Sequence, residues 1–356
     1  IEIYRNRYGT KVQYISLIQR VYARISASRY TGIMSGKEAS VMEAYRTCRL
    51  CPNLCNVDRL ANKRGRCGQT SEVRVAWAGL HKGEEPPITG ENGSGMIFFS
   101  GCPLHCAYCQ NHQISTDENE VGITLSIEEL CSVMLGLQEL GATNLNMVTG
   151  THFIPSIIEA LVLARSKGLV LDVVWNSSGF ESLEGLALID PYVDVYLVDV
   201  KTLDHDVSST FCGLRRYADD ILPVMEFLKQ KHPVTYVDEK GSLKGLLVRH
   251  LVFPTALAAS FSVLEYFSRE LKENAYLSLM VQFEPPLGDA SFPPITENEY
   301  DALLAALEEL GIEDGFVQEL GENVSWIPDF TQENPFPQDF AKPLPYFLSL
   351  TRSRLR

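Results

Sequence analysis

The sequence predicts an α/β protein built on a parallel sheet with helices covering its faces. Two patterns carry that prediction. Short apolar runs alternate with helical patterns from about residue 96 to residue 311. The runs are nearly continuous rather than alternating with polar residues, as in strands buried on both faces.

The elements follow in order. "MIFFS" (96–100) reads as a strand. "SIEELCSVMLGLQELG" reads as a helix opened by the capping box Ser126–Glu129 and closed at Gly141. Next come the strand "NLNMVT", the helix "PSIIEALVLARSKG", the strand "LVLDVVWN", the helical "SLEGLALI" and the strand "VDVYLVDVK". Residues 217–231 form a helix, followed by the strand "LLVRHLVF", the helix "ALAASFSVLEYFSRELKE" and the strand "AYLSLMVQF". "TENEYDALLAALEELG" is a helix with a second capping box, Thr296–Glu299. Six β/α units of this kind fit an open doubly wound sheet or a barrel-like arrangement. In either, ligands gather at the C-terminal ends of the strands. Those ends carry polar residues on otherwise apolar runs: Cys102 after the first, Thr149–His152 after the second and Asn176 after the third. The fourth ends in Asp199 and Lys201, and the fifth contains Arg249 and His250.

Three flanking regions differ from this alternation. Residues 1–47 read as an N-terminal extension, basic up to Lys37, in which "VQYISLIQRVYARI" has the spacing of an amphipathic helix. Such a segment also fits an organelle transit peptide. With no Met at position 1, the plainer expectation is an extension preceding a protein that effectively begins near Met34 or Met42. Residues 48–92 are a cysteine-rich metal-binding segment, 93–320 the β/α body, and 321–356 a tail whose Pro and aromatic residues read as an irregular strap.

Composition bounds the function. With 356 residues, 45% hydrophobic and 21% charged, the chain reads as a globular protein with a large core. A net charge of -14 disfavours nucleic acid as a partner, since phosphate contacts need clustered Lys and Arg. No apolar run approaches the ~20 residues of a membrane span, so no membrane partner is expected. Nine cysteines in a chain this long are too few for a disulfide scaffold, and seven fall in two tight groups. In a reducing cytoplasm, where the protein is expected to reside, that grouping reads as metal ligation.

The first group is Cys102, Cys106 and Cys109, in "FFSGCPLHCAYCQNHQIS". Thiolates suit zinc or iron–sulfur clusters, and a closed site takes four. Cys131 falls on the apolar face of a helix, and Cys212 is far away in a loop. Three thiolates on a 4Fe–4S cluster leave one iron open, and an open position is the mark of a catalytic metal site. A structural zinc site completed by His105 or His112 is the alternative. The second group, Cys48, Cys51, Cys55 and Cys67, has four thiolates that can close a tetrahedral zinc shell, with Pro52 and Gly65 turning the chain. An auxiliary iron–sulfur cluster is the rival occupant, and unliganded thiols are the third reading.

"CPLHCAYC" resembles the C-x3-C-x-aromatic-C signature of the radical S-adenosylmethionine superfamily. "CRLCPNLC", "GEEPPITGENGSGMIFFSGC", "NMVTGTH", "WNSSGF" and "LLVRHLVFP" extend the likeness over about 42–330. Together they resemble an uncharacterised subgroup of the pyruvate formate-lyase activating enzyme-like branch. The resemblance implies a partial (β/α)6 barrel that binds a 4Fe–4S cluster on Cys102, Cys106 and Cys109, with S-adenosylmethionine on the fourth iron. It implies Tyr108 beside the cluster, near the adenine. Thr149, Gly150, Thr151 and His152 replace the Gly-Gly-Glu that many members place at the methionine amino group. Asn176, Asp199, Lys201 and Arg249 are the other implied cofactor contacts. Reductive cleavage to a 5'-deoxyadenosyl radical and hydrogen abstraction are the implied reaction, with a flavodoxin- or ferredoxin-type electron donor. The implied substrate is a glycyl radical enzyme; another protein, a peptide or a small metabolite is the alternative. From a different class, a non-enzymatic zinc-binding adaptor would make both cysteine groups structural. Taken singly, His152 could simply hold a carbonyl, Asp199 and Lys201 could be a plain ion pair, and Arg249 could pair with a carboxylate.

Overall fold

The computed structural model describes residues 2–5, 11–15, 40–116, 121–284, 292–321 and 327–354. Its strands are β1 (Glu2–Arg5), β2 (Lys11–Ile15), β3 (Val73–His81), β4 (Ser94–Phe99), β5 (Ile123–Leu125), β6 (Leu145–Val148) and β7 (Val173–Ser177). They continue as β8 (Val195–Asp199), β9 (Tyr236–Val237), β10 (Leu243–Leu251), β11 (Ala275–Met280), β12 (Gly315–Gln318) and β13 (Ala341–Pro343). The helices are α1 (Pro86–Thr89), α2 (His112–Ser115), α3 (Ile127–Glu139), α4 (Ile154–Ser166) and α5 (Leu183–Ile189). After them come α6 (His205–Phe211), α7 (Tyr217–Lys231), α8 (Leu257–Glu270), α9 (Glu297–Glu309) and α10 (Pro345–Arg354).

The fold is mixed α/β on one central sheet, ordered β1-β2-β12-β11-β10-β8-β7-β6-β4-β3-β13. From β4 to β12 every neighbouring pair is parallel, and the crossovers run through the helices. The described strands do not close into a full barrel: antiparallel β3 and β13 flank β4, and antiparallel β2 and β1 flank β12. Both expected capping boxes form, at Ser126–Glu129 and Thr296–Glu299. Strand periodicity then sorts the side chains. One face, with Met147, Trp175, Tyr196, Val198, Val248 and Leu277, packs on the helices. The opposite face carries Val174, Val195, Leu197, Leu247 and Phe316, which gather round Ile88 of α1. Alternation puts Asn146, Asn176, Asp199, Arg249 and Ser278 on this same face. Its floor is therefore apolar and its upper rows are polar.

Four features depart from the sequence reading. The parallel set has a seventh strand, β12, whose Gly315–Gln318 run is too short to stand out by pattern. β3, within the cysteine-rich stretch, is an antiparallel partner of β4. Lys11–Ile15 is a strand on the edge of β12, not the start of a helix; pairing with the free edge of the sheet outweighs the helical spacing that begins at Ile15. The rest of the expected helix lies outside the described residues. The tail is only partly irregular. Phe336 packs on Trp77 with ring centroids 5.0 Å apart and on Phe98 at 5.5 Å, then β13 joins β3 and α10 follows.

Candidate active site

The loop after β4 carries Cys102, Cys106 and Cys109 at the C-terminal end of the parallel strands. Its start is pinned from two sides. Gly101 donates its N–H to the Ile114 carbonyl at 2.7 Å, and His152 Nε2 bonds the Ser100 carbonyl at 2.8 Å. Gly101 has φ +84°, and a Cβ there would meet the Cys67 carbonyl oxygen at 2.6 Å. Only glycine allows this close approach. Burial pushes the Cys109 thiol up to about 12, with Cys106 and Cys102 adding to the shift. A thiolate there needs a metal charge to form, so cluster assembly releases protons.

Cys212 is where sequence reasoning failed most clearly. Its thiol lies near enough to that of Cys106 for the two to shift each other, Cys106 upward and Cys212 downward, and Phe211 accepts the Ala107 N–H at 2.9 Å. α6 returns to the cluster loop, so the residue that looked remote is fully buried beside it.

Tyr108 lies in an aromatic cage, 4.8 Å from Phe253 and 5.7 Å from Phe283 between ring centroids. Its buried hydroxyl has no hydrogen-bond partner among the described residues. Lys201 Nζ is 5.5 Å from the Tyr108 ring centre and 2.9 Å from Asp199 Oδ2. Burial works against its charge, but the Asp199 carboxylate beside it holds Lys201 well above its ordinary range. The geometry thus joins Tyr108 of the cysteine loop with Lys201 and Asp199 in one group.

The other implied contacts divide. Arg249 donates to Glu85 Oε1 at 2.9 Å and to Glu84 Oε2 at 2.6 Å, so its guanidinium is already engaged. Burial raises Glu84, with Arg249 opposing and Glu85 and Asp199 reinforcing, because two carboxylates share one guanidinium. His152 is buried, and that burial lowers it to about 3; bound to the Ser100 carbonyl, it is neutral and positions the cluster loop. Thr149 adopts φ +58° and donates its N–H to the Asn176 carbonyl at 2.9 Å. Thr151 turns away and donates to Glu181 Oε1 at 2.7 Å. Gly150 is closed in by Ile157 and Trp175, 2.8 and 2.9 Å from where a Cβ would stand. Asn146 was missed by the sequence reading. It is fully buried on the inner face of β6, and neither amide atom has a partner among the described residues. Its signal was a lone amide inside the apolar run of β6.

The site suits the implied cofactors. Among the described residues no three His, Cys, Asp or Glu side chains converge closely enough to hold a single metal ion. Cys102, Cys106 and Cys109 are the three-thiol donor set that a 4Fe–4S cluster with one open iron would take. The unpartnered Tyr108 hydroxyl and Asn146 amide are polar atoms that an organic ligand can satisfy. A small cavity of about 170 Å³ at the ends of β11 and β12, lined by Val281, Gln282, Phe283, Pro294, Ile295 and Leu320, adjoins the aromatic cage through Phe283.

Residues 96–238 match the Radical SAM superfamily model. Iron–sulfur chemistry with S-adenosylmethionine is the family's common property. An uncharacterised protein of Methanocaldococcus jannaschii is 28% identical over 274 residues, covering 74% of each chain. The pyruvate formate-lyase-activating enzyme of Clostridium pasteurianum is 25% identical over 174 residues, covering 47% of this chain and 65% of the relative. Among solved structures, SuiB of Streptococcus suis aligns with TM-score 0.45 and 8% identity over 62% of this chain and 47% of its own. The maturase HydG of Carboxydothermus hydrogenoformans gives 0.44 and 15% over 61% of this chain and 50% of its own. The chain thus spans about half the length of these solved structures. No helix among the described residues is long and apolar enough to cross a membrane.

Proposed function

We propose that this protein cleaves S-adenosylmethionine reductively and abstracts hydrogen from a polypeptide glycine, as an activating enzyme for a glycyl radical protein. The observation that carries this reading is the group that Tyr108, within the three-cysteine loop, forms with Lys201 and Asp199 at the strand ends. When bound, the cluster and the sulfonium cofactor supply a 5'-deoxyadenosyl radical at the expense of one electron from a ferredoxin- or flavodoxin-type donor. The chain's part is placement and exclusion. Cys102, Cys106 and Cys109 would hold the cluster through three of its irons. Lys201, kept charged by Asp199, attracts the cofactor carboxylate. Tyr108 and its phenylalanine cage present an apolar wall to the adenine and keep water from a reactive intermediate. Asn146 and Asn176 offer amides from the inner face of the sheet. The apolar floor around Ile88 closes the site from below.

The test is anaerobic reconstitution with iron and sulfide, then reduction with dithionite in the presence of S-adenosylmethionine. Formation of 5'-deoxyadenosine, lost in Cys106→Ala, is the expected result; none from the native chain sinks the reading. Adding a candidate glycyl radical protein should then give a glycyl EPR signal. If 5'-deoxyadenosine forms but no polypeptide radical appears with any candidate, the substrate assignment fails alone.

A further inference from the structure

We propose that the exposed basic surface of residues 46–74, beside the three-cysteine loop, is the docking site of a small acidic protein that delivers one electron. The inference rests on the proposed function, whose reaction takes an electron from outside the chain. The carrier is oxidised by one electron and the iron–sulfur centre reduced by one, and no bond forms or breaks.

Charge is spread unevenly along this chain. Its net charge is -14, yet residues 46–74 hold seven Lys or Arg against only Asp58 and Glu72. Arg46, Arg49, Lys63, Arg64 and Arg66 are exposed, whereas Arg59 is buried and adds nothing to the surface. The fold keeps these cations together. Lys63 donates its N–H to the Asp58 carbonyl at 3.1 Å, and the Asp58 carboxylate lies 3.6 Å from Arg46 Nη1. Glu43 pairs with Arg46 at 2.8 Å and Glu184 with Arg49 at 4.0 Å, both in solvent-exposed pairs that hold little energy. A concentrated patch of one sign raises the local concentration of an oppositely charged partner and speeds its arrival.

Position is the second observation. Asn53 Nδ2 donates to the Pro103 carbonyl at 2.7 Å, one residue from Cys102. Asn53 Oδ1 accepts from Arg216 Nη2 at 3.2 Å, so the exposed Arg216, which also pairs with Asp220, borders the same place. The Cys67 carbonyl lies against Gly101 at the start of the loop. Within the loop Ala107 and Gln110 are exposed, next to Cys106 and Cys109. The basic patch thus adjoins the stretch of surface that lies over the cluster cysteines. A long polyanion would extend past the patch onto a chain that is acidic overall, whereas a small acidic protein can meet the patch alone. Transient electron-transfer encounters use small, charge-matched interfaces of this sort.

Calorimetric titration of the reconstituted native chain with an oxidised bacterial flavodoxin tests the proposal. The native chain should bind it. Raising the salt from about 0.01 M to about 0.15 M, which shortens the screening length from ~30 Å to ~8 Å, should weaken binding by about 10-fold. Lys63→Glu combined with Arg66→Glu should weaken binding at low salt by about 10-fold as well. Lys167→Glu combined with Lys231→Glu alters the net charge equally at the far ends of α4 and α7, and should weaken it by less than about 2-fold. If the first pair does not fold, as judged by circular dichroism, the salt dependence and Arg216→Glu decide, the latter also weakening binding. No binding by the native chain, indifference to salt, or equal weakening by both pairs would overturn the proposal. So would binding of a duplex RNA in preference to the flavodoxin. Dithionite reduces without docking, so failure here and failure of the proposed function are separable.

Discussion

The loop of Cys102, Cys106 and Cys109 leaves the C-terminal end of β4 toward the polar rows of the sheet, whereas the loop of Cys48 to Cys67 closes on itself. The first has three thiols, an unpartnered tyrosine hydroxyl and a lysine near its ring. The second has four thiols, three amide or guanidinium donors on sulfur and a buried arginine. On the proposed reading the first loop would leave one coordination position open, with ligand-binding groups beside it. The other has none to spare. The difference teaches that cysteine number alone does not separate catalytic from auxiliary sites; what surrounds the thiols does.

Substitutions can break this comparison, and the largest effect is expected at the cysteines. Cys106→Ala should abolish 5'-deoxyadenosine formation, while Cys51→Ala should leave the EPR signal of the first cluster in place. Loss of both signals in Cys51→Ala would mean that the two loops form one site. Arg59→Met comes next. Losing its hydrogen bonds to the Thr70 and buried His152 carbonyls should destabilise the chain by about 1–3 kcal/mol. Thermal unfolding checks this. Lys201→Met should lower the rate of 5'-deoxyadenosine formation by about 100-fold with the iron content unchanged. An unchanged rate would remove Lys201 from the site.

The smallest effect tests the framework that both loops share. His250 bonds the Val200 carbonyl at 2.8 Å and Ser260 Oγ at 2.9 Å, and burial lowers it to about 4. Its folded pKa lies below the unfolded value of ~6.5, so the unfolded chain binds the extra proton between those values. Stability is intact above pH ~6.5 and falls as the pH drops toward 4, by at most ~1.4 kcal/mol per pH unit. In His250→Gln that part of the acid slope should vanish in denaturant titrations at successive pH values.

The regular elements and the cysteine loops were legible because local signals specify them. Capping boxes, continuous apolar runs and close cysteine spacing need no tertiary context. What stayed hidden depends on residues distant in sequence. Cys212 reaches Cys106 only because α6 folds back on the loop. Arg249 looked available until Glu84 and Glu85, some 165 residues earlier, were seen to occupy it. Arg59 carries no local sequence signal of its burial, yet it is fully buried. Asn146 could have been found, since an amide at an alternating position of an apolar strand must face something polar.

The central claim is that the three-cysteine loop has an open iron that takes the cofactor. EPR of the reduced first cluster, measured in Cys51→Ala with and without S-adenosylmethionine, tests it most directly. The account predicts a changed spectrum on addition of the cofactor. A spectrum identical with and without it, in a chain that retains the cluster, would contradict the account.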